Sequence, residues 1–528
     1  MKLATQAIPG QFRRGPLVAF GFLLLTVVAV YQASQFILSG DTTSLILAVL
    51  ILIFVVVIVV MLNDWRNGLY FFLFWLLFED FARKYLGNNM AIYFGKDILV
   101  AIVYVSFLAS YRRKEVRTFR PPFLIPLLLF VWFGVIQVFN PASASLVYGV
   151  LGLKLYFYYM PLILVGYALL ETEADLRRFF SVTLVLGVII ISLGIAQSIL
   201  GHTFLNPARP ADDIRELSQL YRVAPISGLI AYRPNSVFVS AGRFANFLIL
   251  AWLVAFGFSG YLLLRHRGGR NLAFISLATT VAGIALCASR GALLWIGFSA
   301  VAGTVAFLWG SPKRNQTITR ILRTLQRAAL GGGLALLVLM VTYPEALLSR
   351  VAIYTETLSP TSSASELVYR ARDYPLENLL KAFQYDRWPY GFGTGTASLG
   401  VQYVSRIMQV PPMGIGVENG YGALIVELGI VGLALWILLS FAIVFTAWKV
   451  VRKLKGSPWF PLGFMIFWYA FLLLIPMMYT SLASYQDFVL NAYLWLLIGI
   501  LFRLPTLALS AQFAASVSPD SPRQSWSR

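Results

Sequence analysis

The chain is poor in charge. Asp, Glu, Lys and Arg make up 12% of its 528 residues, about half of what a soluble protein carries. With 59% hydrophobic residues and a mean hydropathy of +0.76, that shortage excludes a single water-soluble domain. The lone cysteine, Cys287, excludes an internal disulfide and a cysteine-based metal site, and two histidines leave no histidine cluster. Acid is scarce as well: 22 Asp and Glu stand against 42 Lys and Arg, a net charge of +20. In a soluble chain that excess points to nucleic acid. In an apolar chain it is tested first against membrane topology. With cysteine and histidine nearly absent, carboxylates and arginines have to carry most of the chemistry.

What the chain does have is long apolar runs, and about 20 apolar residues cross a bilayer core. Fourteen candidate spans are read: Leu17–Leu38, Ser44–Leu62, Leu69–Phe81, Ile98–Ser110, Pro122–Phe139, Val147–Leu170, Phe179–Leu200, Val237–Leu264, Leu272–Ala288, Gly291–Trp309, Ala329–Tyr343, Gly422–Trp448, Phe460–Thr480 and Phe488–Phe502. The third and fourth are short for a full crossing. If Arg13 and Arg14 lie inside, 26 basic and six acidic residues fall on the cytoplasmic side, a balance of +20 that equals the whole excess. Retention of positive residues on that side is the expected pattern, and the excess then meets anionic lipid headgroups and needs no nucleic acid. The expected fold class is an all-α polytopic membrane protein with both termini cytoplasmic. Its first span reads as a retained anchor, because the apolar stretch is long and further spans follow it.

Two outer segments are long: Gly201–Ser236, of 36 residues, and Pro344–Tyr421, of 78. Loops of that length are functional or disordered. The second carries helix punctuation: Ser363 three residues before Glu366 in capping-box spacing, and Pro375 able to open a helix. Leu376, Leu379, Leu380 and Phe383 follow as an apolar stripe suited to a membrane surface or to other helices. This segment reads as a folded outer lid.

Three stretches carry a resemblance: "CASRGALLWIGFSA" around the turn Ser289-Arg290-Gly291; "YRARDYPLENLL" and "WPYGFGTGT" in the long outer loop; and "GVENGYGALIVELGIVGLALWILL" at its end. In order and spacing they resemble the bacterial O-antigen ligase and O-antigen polymerase superfamily, over roughly 237–448. The resemblance implies a GT-C-like glycosyltransferase of the bacterial inner membrane that takes an undecaprenyl-diphosphate-linked glycan as donor on the periplasmic face. On that reading 1–236 is an N-terminal bundle, 237–448 the catalytic region with outer loop 344–421, 449–502 the C-terminal helices, and 503–528 a disordered cytoplasmic tail. One departure matters. The family usually has His-Asn at the end of the long loop, and this chain has Glu418-Asn419. Glutamate can also accept a proton from a sugar hydroxyl.

Each site residue has a functional and a bland reading. Glu418 is a general base, or an acid favoured at a helix N-terminus. Arg290 clamps a lipid diphosphate, or is a cation at the C-terminus of the preceding helix. Arg233 and Arg243, near the start of the eighth span, bind the diphosphate, or Arg243 snorkels from a later-starting helix. Of Arg370 and Arg372, one faces the site, or both form surface ion pairs with Glu366 or Asp373. Asn419 is carried into the binding set by the resemblance. Gly391, Gly393 and Gly395 read as a turn-rich connector, since no Gly-Lys-Ser/Thr follows. Lys154 is an intramembrane candidate or a snorkelling lysine, and Tyr156, Tyr158 and Tyr159 line a substrate surface or simply pack.

The implied reaction is an inverting transfer that needs neither cofactor nor metal, with arginines stabilising the departing diphosphate. The acceptor is another lipid-linked repeat unit in a polymerase, lipid A core in a ligase, or a protein hydroxyl in an oligosaccharyltransferase; the polymerase is preferred. Expected partners are the lipid-linked donor, the acceptor glycan or lipid A core, membrane lipids, and a chain-length regulator or export complex. The rival classes are a flippase for the same lipid-linked sugar and a scaffold of an export complex.

Overall fold

The computed structural model describes residues 56–86, 90–207, 220–265, 268–312, 314–358, 369–398, 401 and 416–517. The expected span Leu17–Leu38, the Ser363–Glu366 capping box and residues 518–528 lie outside the described residues, and Ser44–Leu62 is described only over its last residues. Of the tail expected to be disordered from 503, residues 503–517 instead continue the last helix, with Leu504 and Leu507 buried. The described residues fall into two compact units, one within 1–72 and 97–109 and the other within 73–96 and 110–528. Helices α1 (Trp65–Leu86) and α2 (Met90–Arg112) each contribute to both. In the first unit Met61, Leu69, Phe72, Leu99 and Val103 are buried. Trp65 packs edge-to-face on Phe107 with centroids 5.3 Å apart, and Ser106 donates to the Leu62 carbonyl at 3.1 Å.

The second unit continues with α3 (Leu124–Val138), α4 (Leu146–Phe157), α5 (Leu162–Leu169), α6 (Glu173–Leu200), strands β1 (Tyr221–Val223) and β2 (Ile230–Tyr232), α7 (Ala241–Arg265), α8 (Arg270–Leu286) and α9 (Arg290–Gly310). Then follow α10 (Arg314–Thr342), α11 (Pro344–Leu358), a π-helical turn (Tyr369–Asp373), α12 (Tyr374–Ala382), α13 (Gly420–Lys453), α14 (Phe460–Leu474), α15 (Leu482–Gln486) and α16 (Phe488–Val517). Among the described residues seven helices are long and apolar enough to cross a membrane, or eight if the bent pair Ala329–Thr342 and Leu347–Leu358 counts as one span. Three further apolar helices, α3, α8 and α14, have 15, 17 and 15 residues. The molecule is thus a mostly helical multi-pass protein by helix length and composition.

Local chemistry places several of the helix ends. Thr172 and Asp175 form a reciprocal capping box that starts α6. Ser289 caps α9 and Asn419 caps α13, each by accepting a backbone N–H from three residues on.

Three expectations change on contact with the fold. The short third and fourth spans belong to helices of 22 and 23 residues. Apolar windows stop at Glu79, Asp80, Arg83, Lys84 and Lys96, but these charges are buried and held inside the bundle. The fold is also not purely α. The segment Gly201–Ser236 contains an antiparallel ribbon pairing Tyr221 with Tyr232 and Val223 with Ile230. And the glycine-rich stretch is more than a surface connector: Gly391, Gly393, Thr394, Gly395 and Thr396 are all buried.

That stretch is inserted where α13 breaks. Gly429 has φ 71° and ψ −175°, a backbone state that L side chains rarely adopt. The break frees carbonyls, and the loop satisfies them: Phe392 N–H donates to Val426 at 2.8 Å and Gly393 N–H to Glu427 at 2.9 Å. From α3 and the residues just after it, the Gln137 amide donates to the Tyr390 carbonyl and that of Asn140 to Gly391, both at 3.0 Å. Thr394 donates to the Gly134 carbonyl at 2.8 Å. Gly395 presses so closely on the Tyr148 carbonyl of α4 that no Cβ fits there. Irregular backbone within an apolar bundle survives only where protein satisfies its polar groups, and here it does.

Candidate functional site

A cavity of about 1050 Å³ lies where α9 and α13 begin. Its wall gathers Arg290 and Ser289 from the start of α9, Glu418 and Asn419 from the start of α13, Tyr374 and Asn378 from α12, and Arg222 from β1. Leu294, Trp295 and Phe298, the next turns of α9, give it an apolar side, and 478–483 closes it after α14. Charge at one end and hydrocarbon along the wall make it an amphiphilic site.

Glu418 is exposed, and its Oε2 accepts a hydrogen bond from the Tyr374 hydroxyl. Its backbone N–H donates to Asn378 Oδ1 at 3.2 Å, while Asn378 Nδ2 donates to the Tyr374 carbonyl at 3.0 Å. Asn378 therefore ties the loop end to α12 and sets the carboxylate against the tyrosine. Asn419 is buried. Its Oδ1 accepts from Gly422 N–H at 2.6 Å and its Nδ2 donates to the Pro375 carbonyl at 2.9 Å, so it shapes the wall by capping α13.

Arg290 is half-buried in the cavity wall. The alternative reading, a cation serving the C-terminus of α8, is filled by other groups: Arg350 Nε donates to the Leu286 carbonyl at 2.9 Å, Tyr354 to Ile284 at 3.0 Å, and Arg222 to Ala288 at 3.2 Å. Moreover Arg290 opens its own helix, the end at which a cation is disfavoured by the macrodipole. Arg290 thus lies at the cavity wall at the start of α9, while the last carbonyls of α8 are held by Arg350, Tyr354 and Arg222.

The other expected residues go elsewhere. Arg233 does not line the cavity; burial lowers its guanidinium below the ordinary arginine pKa, with Arg290 adding to the effect. Arg243 sits in the first turn of a helix that starts at Ala241, later than the expected Val237. It pairs with Asp80 at 2.6 Å and Asp487 at 3.1 Å and stacks over Phe488, so the partner expected of an intramembrane arginine is a pair of carboxylates. Arg372 pairs with Asp373 at 2.7 Å on the surface, while its neighbour Ala371 is the residue at the cavity. Arg370 belongs to the same π-helical turn; its side chain lies outside the described residues. Lys154 stacks over Tyr93 and Phe94, and Tyr158 and Tyr159 pack on each other.

The apolar stripe of the lid is split: Leu376 and Leu380 are exposed, while Leu379 packs with Ala382 against Ile425 and Val426 of α13, and Pro375 and Asn378 are buried beside them. The Asn378 hydrogen bonds to the cavity loop set the rotation of α12.

Reading the sequence missed Arg222, Tyr374 and Glu427. Glu427 lies nine residues after Glu418, fully buried in α13. Its Oε1 accepts from Ala397 N–H at 2.8 Å and Ser398 hydroxyl at 2.7 Å, and its Oε2 from Tyr156 hydroxyl at 2.7 Å. Gln486 in turn donates to Ser398 Oγ at 2.9 Å. Tyr156 is thus a ligand of this carboxylate and not part of a substrate surface. Ala397 lines the cavity, so Glu427 holds the cavity wall from behind. An acidic residue inside an apolar run was the signal for it.

No protein-family model and no curated protein matches the chain.

Proposed function

We propose that the chain is an inner-membrane glycosyltransferase that moves a glycan from a polyprenyl-diphosphate carrier to an acceptor hydroxyl, most simply the next lipid-linked repeat unit. The observation that carries this reading is the joint placement of Arg290, Arg222 and Glu418 around one cavity with an apolar wall along α9. A lipid diphosphate has that same division of charge and hydrocarbon. In this reading α1, the bent pair of α10 and α11, the shorter helices α3, α8 and α14 and the first two runs complete, with the seven long apolar helices, fourteen crossings of a GT-C-like fold. The basic excess then stays cytoplasmic, and the cavity opens at the periplasmic face.

Glu418 takes the proton of the acceptor hydroxyl through Oε1, while Tyr374 steadies Oε2. The hydroxyl oxygen bonds the anomeric carbon as that carbon's bond to the phosphate oxygen breaks, and attack opposite the leaving group inverts the centre. The diphosphate leaves with the electron pair, and Arg290 and Arg222 stabilise its growing charge as preorganised donors. Ligation to lipid A core or to a protein hydroxyl uses the same chemistry with another acceptor.

The buried charges around Arg243 favour a second reading, a transporter for the same lipid-linked glycan, since intramembrane ion pairs mark transport paths. One assay separates the two. Purified protein in proteoliposomes, given lipid-linked repeat units, is expected to yield longer glycans and free lipid diphosphate, and Glu418→Gln to lose about 10²–10⁴-fold of that rate. Undiminished transfer by Glu418→Gln removes the base assignment. Translocated but unlengthened donor supports transport.

A further inference from the structure

The β1–β2 ribbon carries an apolar surface that nothing in the cavity chemistry uses. Strand alternation turns Arg222 and Ala231 inward, where Ala231 and Ala224 pack on Ala288 and Ile353. Turned the other way are Val223, Ile226 and Ile230, 58%, 65% and 62% exposed, with Tyr221 and Leu229 beside them. From Val223 to Tyr232 no residue is charged. A patch of this kind on an element facing water is an aggregation liability or an interaction site.

Three observations identify what covers it. First, backbone donors at the tip are satisfied within the protein: the N–H groups of Ile226 and Ser227 donate to Glu356 Oε2 at 2.7 and 3.1 Å, and Ala224 N–H to the Leu229 carbonyl at 2.8 Å. Backbone that enters an apolar phase has to satisfy its donors internally. Second, the ribbon rests on α11: Arg350 donates to the Tyr232 carbonyl at 2.8 Å. This helix turns through 115° from the apolar half of α10, so beside a crossing α10 it runs nearer the membrane plane than its normal. Third, the helix pair beside the ribbon is itself apolar where it is exposed, at Leu330, Leu334, Leu337 and Val341 of α10 and Leu348 and Val351 of α11. Tyr221 and Tyr232, paired across the strands, are the residue type that settles at the headgroup level.

We propose that the Tyr221–Tyr232 ribbon lies in the headgroup and acyl boundary of the leaflet at the cavity end of the bundle, and that this insertion holds Arg222 at the cavity wall. Arg222 is the inward residue of β1, and its guanidinium reaches both the cavity and the Ala288 carbonyl. Ala288 has a left-handed φ of 50°, and this strained turn just before Arg290 is packed under the ribbon. The lipid-anchored ribbon therefore braces the turn that presents one cavity arginine and itself supplies another. The inference stands whether the cavity transfers or transports its substrate.

The test uses the full chain in nanodiscs of phosphatidylethanolamine and phosphatidylglycerol on a Cys287→Ser background. Ile226→Cys and Ile230→Cys, with Val223→Cys as an independent third position, carry an environment-sensitive fluorophore. Glu115→Cys in the charged 112–120 segment is the aqueous reference, and Phe441→Cys midway along α13 the lipid reference. Brominated phospholipid is expected to quench the ribbon positions several-fold more than Glu115→Cys, and iodide several-fold less. Iodide quenching equal to that at Glu115→Cys overturns the proposal. Protection from both quenchers also overturns it, because protein and not lipid then covers the ribbon.

Discussion

Two charged regions of the second unit sit close to the ends of helices and are built in opposite ways. Around Arg243 opposite charges are paired: Asp80 faces Arg243 and Arg83, Asp487 faces Arg243, and Glu79 faces Lys96 at 3.0 Å, while Lys84 donates to the Ser236 carbonyl. Around the cavity, Arg290, Arg222 and Glu418 share the lining with a tyrosine, asparagines and apolar side chains. The same contrast divides the two glutamates of the α13 region. Glu427 is enclosed by three donors, whereas exposed Glu418 has one phenol on its carboxylate. Charge that is closed on itself holds helices together, and charge arranged around space is available to a ligand. An intramembrane arginine is therefore a functional candidate only after its partners are known.

The largest expected effect breaks the closed region. Arg243→Met leaves Asp80 and Asp487 facing each other without the cation between them. Removing one partner from a buried ionic cluster costs about 3–5 kcal/mol, read as a lowered unfolding temperature of the detergent-solubilised protein. A change as small as a surface substitution would show that the network does not hold α1, α7 and α16 together. The next effect belongs to the open region. Arg290→Gln is expected to lower glycan transfer by about 10²–10³-fold, as for loss of one preorganised donor to a developing anion. Its stability is expected to fall less than that of Arg243→Met, because Arg290 is half-buried and stands outside the ionic cluster of Asp80, Arg243 and Asp487. Equal losses in folding and rate would make the cavity a second structural network.

What was legible in the sequence follows the same division. Arg290, Glu418 and Asn419 stood at the edges of apolar runs, where a crossing ends and a site begins, and those edges are local features. The helices themselves were legible because an apolar run needs no distant information. Arg243 looked equally promising, yet Asp80 lies 163 positions away, and no local pattern reports that pairing. Arg222 reaches the cavity only because the ribbon folds over the α8–α9 turn. The break at Gly429 was hidden since a hydropathy window averages across one residue, and the loop that repairs it comes from the opposite side of a long insertion. Glu427 stood in plain view inside the motif, but its three donors come from α4 and the glycine loop. Membrane physics made the elements readable, and tertiary pairing decided which of their charges are open.

A smaller effect tests how the open region is kept in register. Tyr374→Phe removes the phenol from Glu418 Oε2 and leaves the ring, the Asn378 bridge and the cap at Asn419 in place. A hydrogen bond to a charged group contributes about 1.5 kcal/mol at the low end of its range, which corresponds to roughly tenfold in rate. If, as proposed, the phenol orients Glu418 as the base and does not bind the donor, the loss is expected in kcat with KM for the lipid-linked donor unchanged. A rise in KM alone would place Tyr374 on the substrate instead.

The smallest effect separates Arg372 from the arginines of the cavity. Its side chain is 76% exposed and is held by the adjacent Asp373, whose carboxyl that hydrogen bond pulls below its usual range. Exposed pairs of this kind gain little, since water and salt screen them and two side chains lose freedom. Arg372→Ala is therefore expected to leave both the unfolding temperature and the transfer rate unchanged at physiological ionic strength, and lowering the salt should not reveal a loss. A rate defect in Arg372→Ala comparable to that of Arg290→Gln would mean that the π-helical turn rotates when substrate arrives, bringing to the cavity a guanidinium that here faces away from it. The comparison between closed and open charge would then not extend to the substrate-bound protein. An unchanged rate confines the working arginines to the start of α9 and to the ribbon.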